Sequence, residues 1–477
     1  MNLDLKKYFN SKNLLIISPL FLFIVIRYVV GFNGLYGQDS HEYYRYSRAI
    51  VDFFKTGSSP GDYFWPIYYP ILGAILGLIV DNLFSLQLIS FLSLSGSLFF
   101  LSKIMTSIYD EKKYFVINLA ITFLFAPYVF RNSAVVMSDM LSVFFIIAAF
   151  YFFIEYLRSA KLKHIIFFSL FFSLAVLSRY AAVIVLVVPT IILLYFFLKS
   201  KNYFHLLIPA LLALILVLPM ILINQSKMTE MTEHAWIKGW SVSNFFMSDF
   251  VTPEGSQSNR FPNIIYSFSS IFFPTFLVFG LILVALAQRN LPKNKYLLIS
   301  LIMVVVYALF LSGIPFQNQR YLLLSYPFVV IIIFPGFERL TYLFKERRIL
   351  LYSVMFFMIV IQVFFCSYFF RSAIERNKLE KDIAGYINSA KHQIVYAFDI
   401  DVSFISYDVN KNYFNLWKEK YDKFQSGSLV IFNEEKFKDQ WIGKNPMLNW
   451  NNLKTDYILL ELKNFGDGWK VFEIGNK

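Results

Sequence analysis

The sequence predicts a polytopic α-helical membrane protein of about 11 spans with a small C-terminal α/β soluble domain. Three observations predict it. Of 477 residues, 57% are hydrophobic and 16% charged, against about 25% charged in an average soluble domain. Apolar runs long enough to cross a hydrocarbon core of about 30 Å recur as far as Phe370. Beyond Phe370 the composition turns polar, and short strand-like and helix-like patterns alternate.

In order, the expected spans lie near 13–31, 84–102, 114–130, 136–157, 164–178, 180–199, 203–223, 264–287, 296–312, 321–337 and 349–370. The first follows Lys6, Lys7 and Lys12, and no small-residue cleavage site follows it. It reads as an uncleaved anchor with a cytoplasmic N-terminus. That start puts Lys103, Lys112 and Lys113 on the same side as Arg158, Lys161 and Lys163, and as Lys199 and Lys201. Arg289, Lys293 and Lys295 join them, as do Arg339, Lys345, Arg347 and Arg348. One-sided loop charge explains the net charge of +13. Nucleic acid is excluded as a partner, because there is no basic-aromatic patch, RNA motif or Gly-rich phosphate loop. The lone Cys366 excludes an internal disulfide and a cysteine metal site, and reads as a small buried hydrophobe.

Residues 65–80 are apolar but contain Pro66, Pro70, Gly73 and Gly77. A span there would invert every later loop, so this segment is expected to lie in the interface or dip into it. Asp39 to Phe54 places Tyr43, Tyr46, Ile50 and Phe53 near one helical face, a second interfacial pattern. The domain over 1–370 therefore has a long first outer loop, 32–83. A second outer loop, 224–263, carries Glu230, Glu233, His234, Trp236, Lys238, Trp240, Asp249, Glu254 and Arg260, and is expected to be a mobile cover.

The tail, 371–477, is expected outside the cytoplasm. Arg371–Ala390 and Tyr413–Phe424 read as helices. His392–Phe398, Ser428–Phe432 and Tyr457–Leu462 read as strands, and Gly466-Asp467-Gly468 turns into a last strand, Trp469–Ile474.

Chemistry is expected where charge meets membrane depth. Asp39 follows the first span and Asp139 opens the fourth. Buried ionisable groups cost several kcal/mol unless paired or hydrated, so they usually serve a function. Two carboxylates on one side of a partly dry cavity could deprotonate a hydroxyl, hold a divalent cation, or both. The competing reading is snorkelling at a helix end, where Asp also caps. Arg131, Arg179 and Arg320 fall on the expected outer face, against the charge rule, and suit a phosphate through their planar forks. Lipid headgroups or partner carboxylates would account for them too. His41 with Glu42, and Glu233 with His234, make no natural metal couple if helical, because neighbours in sequence do not share a helix face; they read as solvated loop residues, with a role supporting the site or contacting substrate as the alternatives. His164 and His205 read as interfacial.

Four stretches in order carry a resemblance: Gly37-Gln38-Asp39-Ser40-His41-Glu42-Tyr43-Tyr44, Phe64-Trp65-Pro66-Ile67-Tyr68-Tyr69-Pro70, Ser138-Asp139-Met140-Leu141 and Leu177-Ser178-Arg179-Tyr180. Gln319-Arg320-Tyr321 with Pro327 adds a late span. The set over 1–370 resembles the GT-C glycosyltransferases of the protein O-mannosyltransferase and aminoarabinose-transferase group. The resemblance implies a donor sugar on a polyprenyl phosphate and an inverting transfer to an acceptor hydroxyl of protein, lipid or glycan. It implies Asp39 as general base, and Arg179 and Arg320 fit the leaving phosphate; Glu42, Tyr43, Asp139, Arg179, Tyr180, Arg320, Tyr321 and His234 are the candidate substrate contacts. The cell inner membrane is the implied location. Some relatives carry Glu-Lys or His just before the proline of the second loop helix. Here Phe64 and Trp65 stand there, so a metal is not assigned; Asp39 and Asp139 are the candidates should one bind.

Three other readings compete. A flippase for a lipid-linked sugar should show repeated halves or charges and broken helices near the midplane, and the sequence shows neither. A polysaccharide polymerase or ligase shares donor and compartment. A receptor-like sensor fits the odd first loop poorly.

Overall fold

The apolar runs fold where hydropathy places them, but proline breaks some. A computed structural model describes residues 10–63, 65–109, 114–201, 203–223, 238–252, 255–258, 260–288, 294–439 and 441–477. Among these, eight helices are long and apolar enough to cross a membrane: Ser11–Val29, Asn82–Tyr109, Asp139–Ser159, Ala182–Ser200, Phe204–Ile223, Lys295–Ser312, Tyr326–Leu343 and Arg348–Ser389. Leu162–Ser178 is a shorter apolar helix of 17 residues. The chain is a polytopic helical membrane protein with a C-terminal domain.

The expected span at 114–130 is a bent pair, Phe115–Leu124 and Pro127–Ala134, meeting at 66°. Pro127 forces the cause: the residue before it, Ala126, takes an extended conformation (φ −71°, ψ 121°). The break is served by the long helix Arg348–Ser389. Gln362 Nε2 lies 3.3 Å from both Ile121 O and Phe125 O and 3.0 Å from Phe276 O. Cys366 Sγ donates to Phe125 O at 3.2 Å, so this buried thiol is more than a filler. Irregular backbone at membrane depth survives where protein covers its polar groups. The run 264–287 breaks the same way: Phe273, before Pro274, is extended (ψ 165°), separating Asn263–Ser269 and a short turn from Gly280–Ala287. That last helix packs tightly on Tyr326–Leu343, where a Cβ on Gly336 would sit 1.9 Å from Leu283 O.

Gly37–Thr56 forms a 20-residue helix, here the acidic helix, with Tyr43, Tyr46 and Ile50 on its buried face. Tyr68–Gly77 has ten residues, a length of about 15 Å and too short to cross a bilayer. The described part of 224–263 is tied down. Trp240 Nε1 donates to Phe310 O at 3.0 Å, Asn244 Nδ2 to Gly313 O at 2.7 Å and Asn263 Nδ2 to Ser312 O at 2.8 Å.

Arg348–Ser389 is one helix of 42 residues, running through Phe370 into the C-terminal domain. There, five strands lie in the order Asn412–Asn415, Ile394–Ala397, Leu429–Phe432, Trp469–Asn476 and Tyr457–Gly466. The first three are parallel; the last two join antiparallel. The expected helix Tyr413–Phe424 is absent. Asn412–Asn415 is a strand, and Asn415 Oδ1 then accepts from Trp417 N (2.7 Å) and Lys418 N (3.1 Å), competing with helix formation. A helix over Asn445–Asp456, opened by Pro446, escaped the sequence reading.

Candidate active site

Two helix starts and two turns converge. Gly37, at φ +67°, lets the chain turn into the acidic helix, whose first turn holds Asp39. Ser138 precedes Asp139 at the start of the next acidic turn. Arg179 ends Leu162–Ser178, and Arg320 lies in the tight turn Gln319–Leu324, where Asn318 Oδ1 takes its backbone N–H at 2.9 Å.

The four charges form a chain. Arg320 Nη2 donates to Asp39 Oδ2 at 2.7 Å. Its Nε lies 3.6 Å from Asp139 Oδ1, and Arg179 Nη1 lies 2.8 Å from that same oxygen. Formal charges cancel, which makes burial tolerable. The two carboxylates differ in access: the Asp39 side chain is 24% exposed and that of Asp139 1%. Asp139 is ion-paired, yet its oxygens receive no well-directed hydrogen bond, and Arg320 Nε finds no acceptor in line. Arg320 Nε is therefore an unspent donor of the sort an anionic ligand would use.

Aromatic rings wall it. Tyr321 lies under both guanidiniums, 5.4 Å from Arg179 and 6.0 Å from Arg320. The Tyr43 hydroxyl is 2.7 Å from Ser138 Oγ, and burial pushes it well above the ordinary phenol value. Tyr43 also meets Tyr69 edge-on at 5.1 Å, and Tyr46 stacks on Tyr63 at 3.9 Å. Met137 Sδ contacts Arg320 Nη1 at 3.2 Å.

Of the expected site residues, Asp39, Asp139, Arg179, Arg320, Tyr321 and Tyr43 come together. Tyr180 sits half-buried against the apolar core. Glu42 is held by Arg45 in a two-pronged pair, at 2.8 Å and 2.5 Å. Arg131 stacks on Tyr36 (4.6 Å) and Tyr128 (5.5 Å). His234 lies outside the described residues.

His41 is a correction: it is a buried residue of the acidic helix, 1% exposed, facing the C-terminal domain. The sequence reading as a solvated loop position failed because its partners lie more than 300 residues away. As for a metal, Arg320 stands between Asp39 and Asp139, and the described residues hold no group of three or more His, Cys, Asp or Glu side chains able to share an ion.

No protein-family model matches the chain, and no curated protein matches it in sequence. Its architecture does match solved structures. The crystal structure of ArnT from Cupriavidus metallidurans in the apo state superposes at a TM-score of 0.59 over 95% of this chain and 97% of that one, at 11% identity. The chain has the fold of ArnT. ArnT from the same organism bound to undecaprenyl phosphate gives 0.59 over 96% and 98%, at 12% identity. Such near-complete coverage takes in the C-terminal domain as well as the spans.

Proposed function

We propose that this protein is an integral membrane glycosyltransferase that moves a sugar from a polyprenyl-phosphate donor to an acceptor hydroxyl, inverting the anomeric centre. The observation that carries this is the Asp39–Arg320–Asp139–Arg179 chain with its single accessible carboxylate. The fold supports it, since an ArnT structure holds undecaprenyl phosphate.

In the reaction, the acceptor oxygen forms a bond to the anomeric carbon while the bond from that carbon to the phosphate oxygen breaks. Asp39 takes the acceptor proton, and the lipid phosphate leaves with the electron pair. Arg320 and Arg179 stabilise the charge that develops on it. Arg320 links the two events: as phosphate draws its guanidinium, Asp39 Oδ2 loses its donor and becomes a freer base. Asp139 holds both guanidiniums side by side and is too buried to meet the acceptor itself. The site faces the non-cytoplasmic side of the inner membrane, where the tail domain also lies. Sugar and acceptor class, whether protein, lipid or glycan, stay open in this reading. The bent pair lends no support to a flippase, since Gln362 and Cys366 serve its carbonyls.

The test is direct. Purified protein in nanodiscs, given a radiolabelled polyprenyl-phosphate sugar and candidate acceptors, should release lipid phosphate and label an acceptor. No release with any common donor sugar sinks the proposal.

A further inference from the structure

We propose that His41, Asn377 and Glu380 are positioning residues that let the C-terminal domain set the place of Asp39; this rests on the transferase reading above. Asp39 and His41 share one helical turn but point to different sides, as residues two apart must. Asp39 meets Arg320. His41 meets the tail: its Nε2 is 2.9 Å from Glu380 Oε2 and its Nδ1 is 2.8 Å from Ser406 Oγ. Glu380, as a carboxylate, only accepts, so Nε2 carries a hydrogen; in the neutral imidazole the Ser406 hydroxyl then donates to Nδ1. Both side chains are sealed, at 1% and 0% exposure.

Asn377 lies one turn earlier on the long helix. Its Nδ2 faces Asn33 Oδ1 (2.8 Å), Leu35 O (3.0 Å) and Tyr407 Oη (2.9 Å). The long helix thus grips the chain on both sides of Asp39, at Asn33 and Leu35 before it and at His41 after it. The grip is anchored in the tail domain. Arg376 Nε holds Glu380 Oε1 at 2.7 Å, and its Nη1 lies 3.3 Å from Asp399, which also pairs with Lys436 at 2.8 Å. Arg376 also stacks over Trp469 at 5.2 Å. None of these residues reaches the four-charge cluster, so their role is to fix geometry. A base must sit within hydrogen-bond reach of the proton it takes.

The experiment uses the full chain in nanodiscs. His41→Ala and Glu380→Gln should lower kcat for sugar transfer by ~10- to 100-fold, the scale of a small misplacement, with donor KM within about threefold because Arg179 and Arg320 are untouched. His41→Gln, which keeps an N–H for Glu380, should restore most of kcat. Amides of Gly37–Tyr43 should exchange with solvent faster in His41→Ala, while those of Leu429–Phe432 should not. Unchanged kcat in both variants, or unchanged exchange at Gly37–Tyr43, overturns the proposal. So does faster exchange at Leu429–Phe432, which would mean mere loss of the domain. Should the parent protein transfer no sugar, the transferase reading fails, and the exchange at Gly37–Tyr43 still decides whether the grip exists.

Discussion

Arg320 Nη2 sits 2.7 Å from Asp39 Oδ2, across 281 residues of sequence. The same guanidinium leans toward Asp139, so one arginine sees both the exposed carboxylate and the sealed one. Removing one partner of such a pair leaves a charge uncompensated, at a cost that grows with how deeply the pair is sealed.

Under the proposed mechanism, Asp39→Asn keeps the shape and removes the base. Transfer should fall by ~100- to 10,000-fold, the usual contribution of a general base. Undecaprenyl phosphate binding, followed by intrinsic fluorescence, should persist.

Arg320→Gln should act on the donor. Loss of a charge-assisted contact to phosphate, about 1.5–3 kcal/mol, should raise donor KM by roughly 10- to 100-fold. Steady-state kinetics at varied donor concentration checks it; an unchanged donor KM would argue against the phosphate role.

Asp139→Asn leaves two buried guanidiniums around a neutral amide. A loss of about 3–5 kcal/mol of stability is expected, read as a fall in thermal midpoint in detergent. Asp39→Asn should cost less, because that side chain is partly solvated.

Asp401 gives the tail domain a pH dependence. Burial pushes its carboxyl from 3.8 up to about 6, only partly offset by the hydrogen bond from Asn415. The folded value lies above the unfolded one, so the contribution to stability is fully present below about pH 4 and is lost as pH rises through about 6. Asp401→Asn should flatten that slope and raise stability at pH 7 by up to about 3 kcal/mol. Amide exchange of Leu429–Phe432 at pH 4.5 and 7 reads it.

Gln362→Leu should uncap the bent pair. With the carbonyls of Ile121 and Phe276 losing this donor and that of Phe125 left with Cys366 Sγ, a loss of about 1–3 kcal/mol is expected in thermal unfolding.

Hydropathy and local chemistry made much of this readable in advance. Long apolar runs leave a chain few choices in a bilayer, because every backbone group must bond within its own helix. The acidic helix was legible because Tyr43, Tyr46 and Ile50 recur at helical spacing. Asp39, Asp139, Arg179 and Arg320 stood out because charges at membrane depth are expensive. Proline breaks were harder to judge, since Pro189 and Pro209 sit inside intact helices while Pro127 and Pro274 do not.

The chain alone thus determined that these four charges must be held near a membrane boundary, and that a polar α/β tail follows. Packing decided who holds whom. In sequence, Glu380 and Arg376 are assigned only to the helix Arg371–Ala390, and His41 reads first as a solvated loop residue. Only the fold seals them together at the root of the Asp39 helix. Burial and long-range partnership depend on which surfaces meet, and no local pattern of residues encodes that.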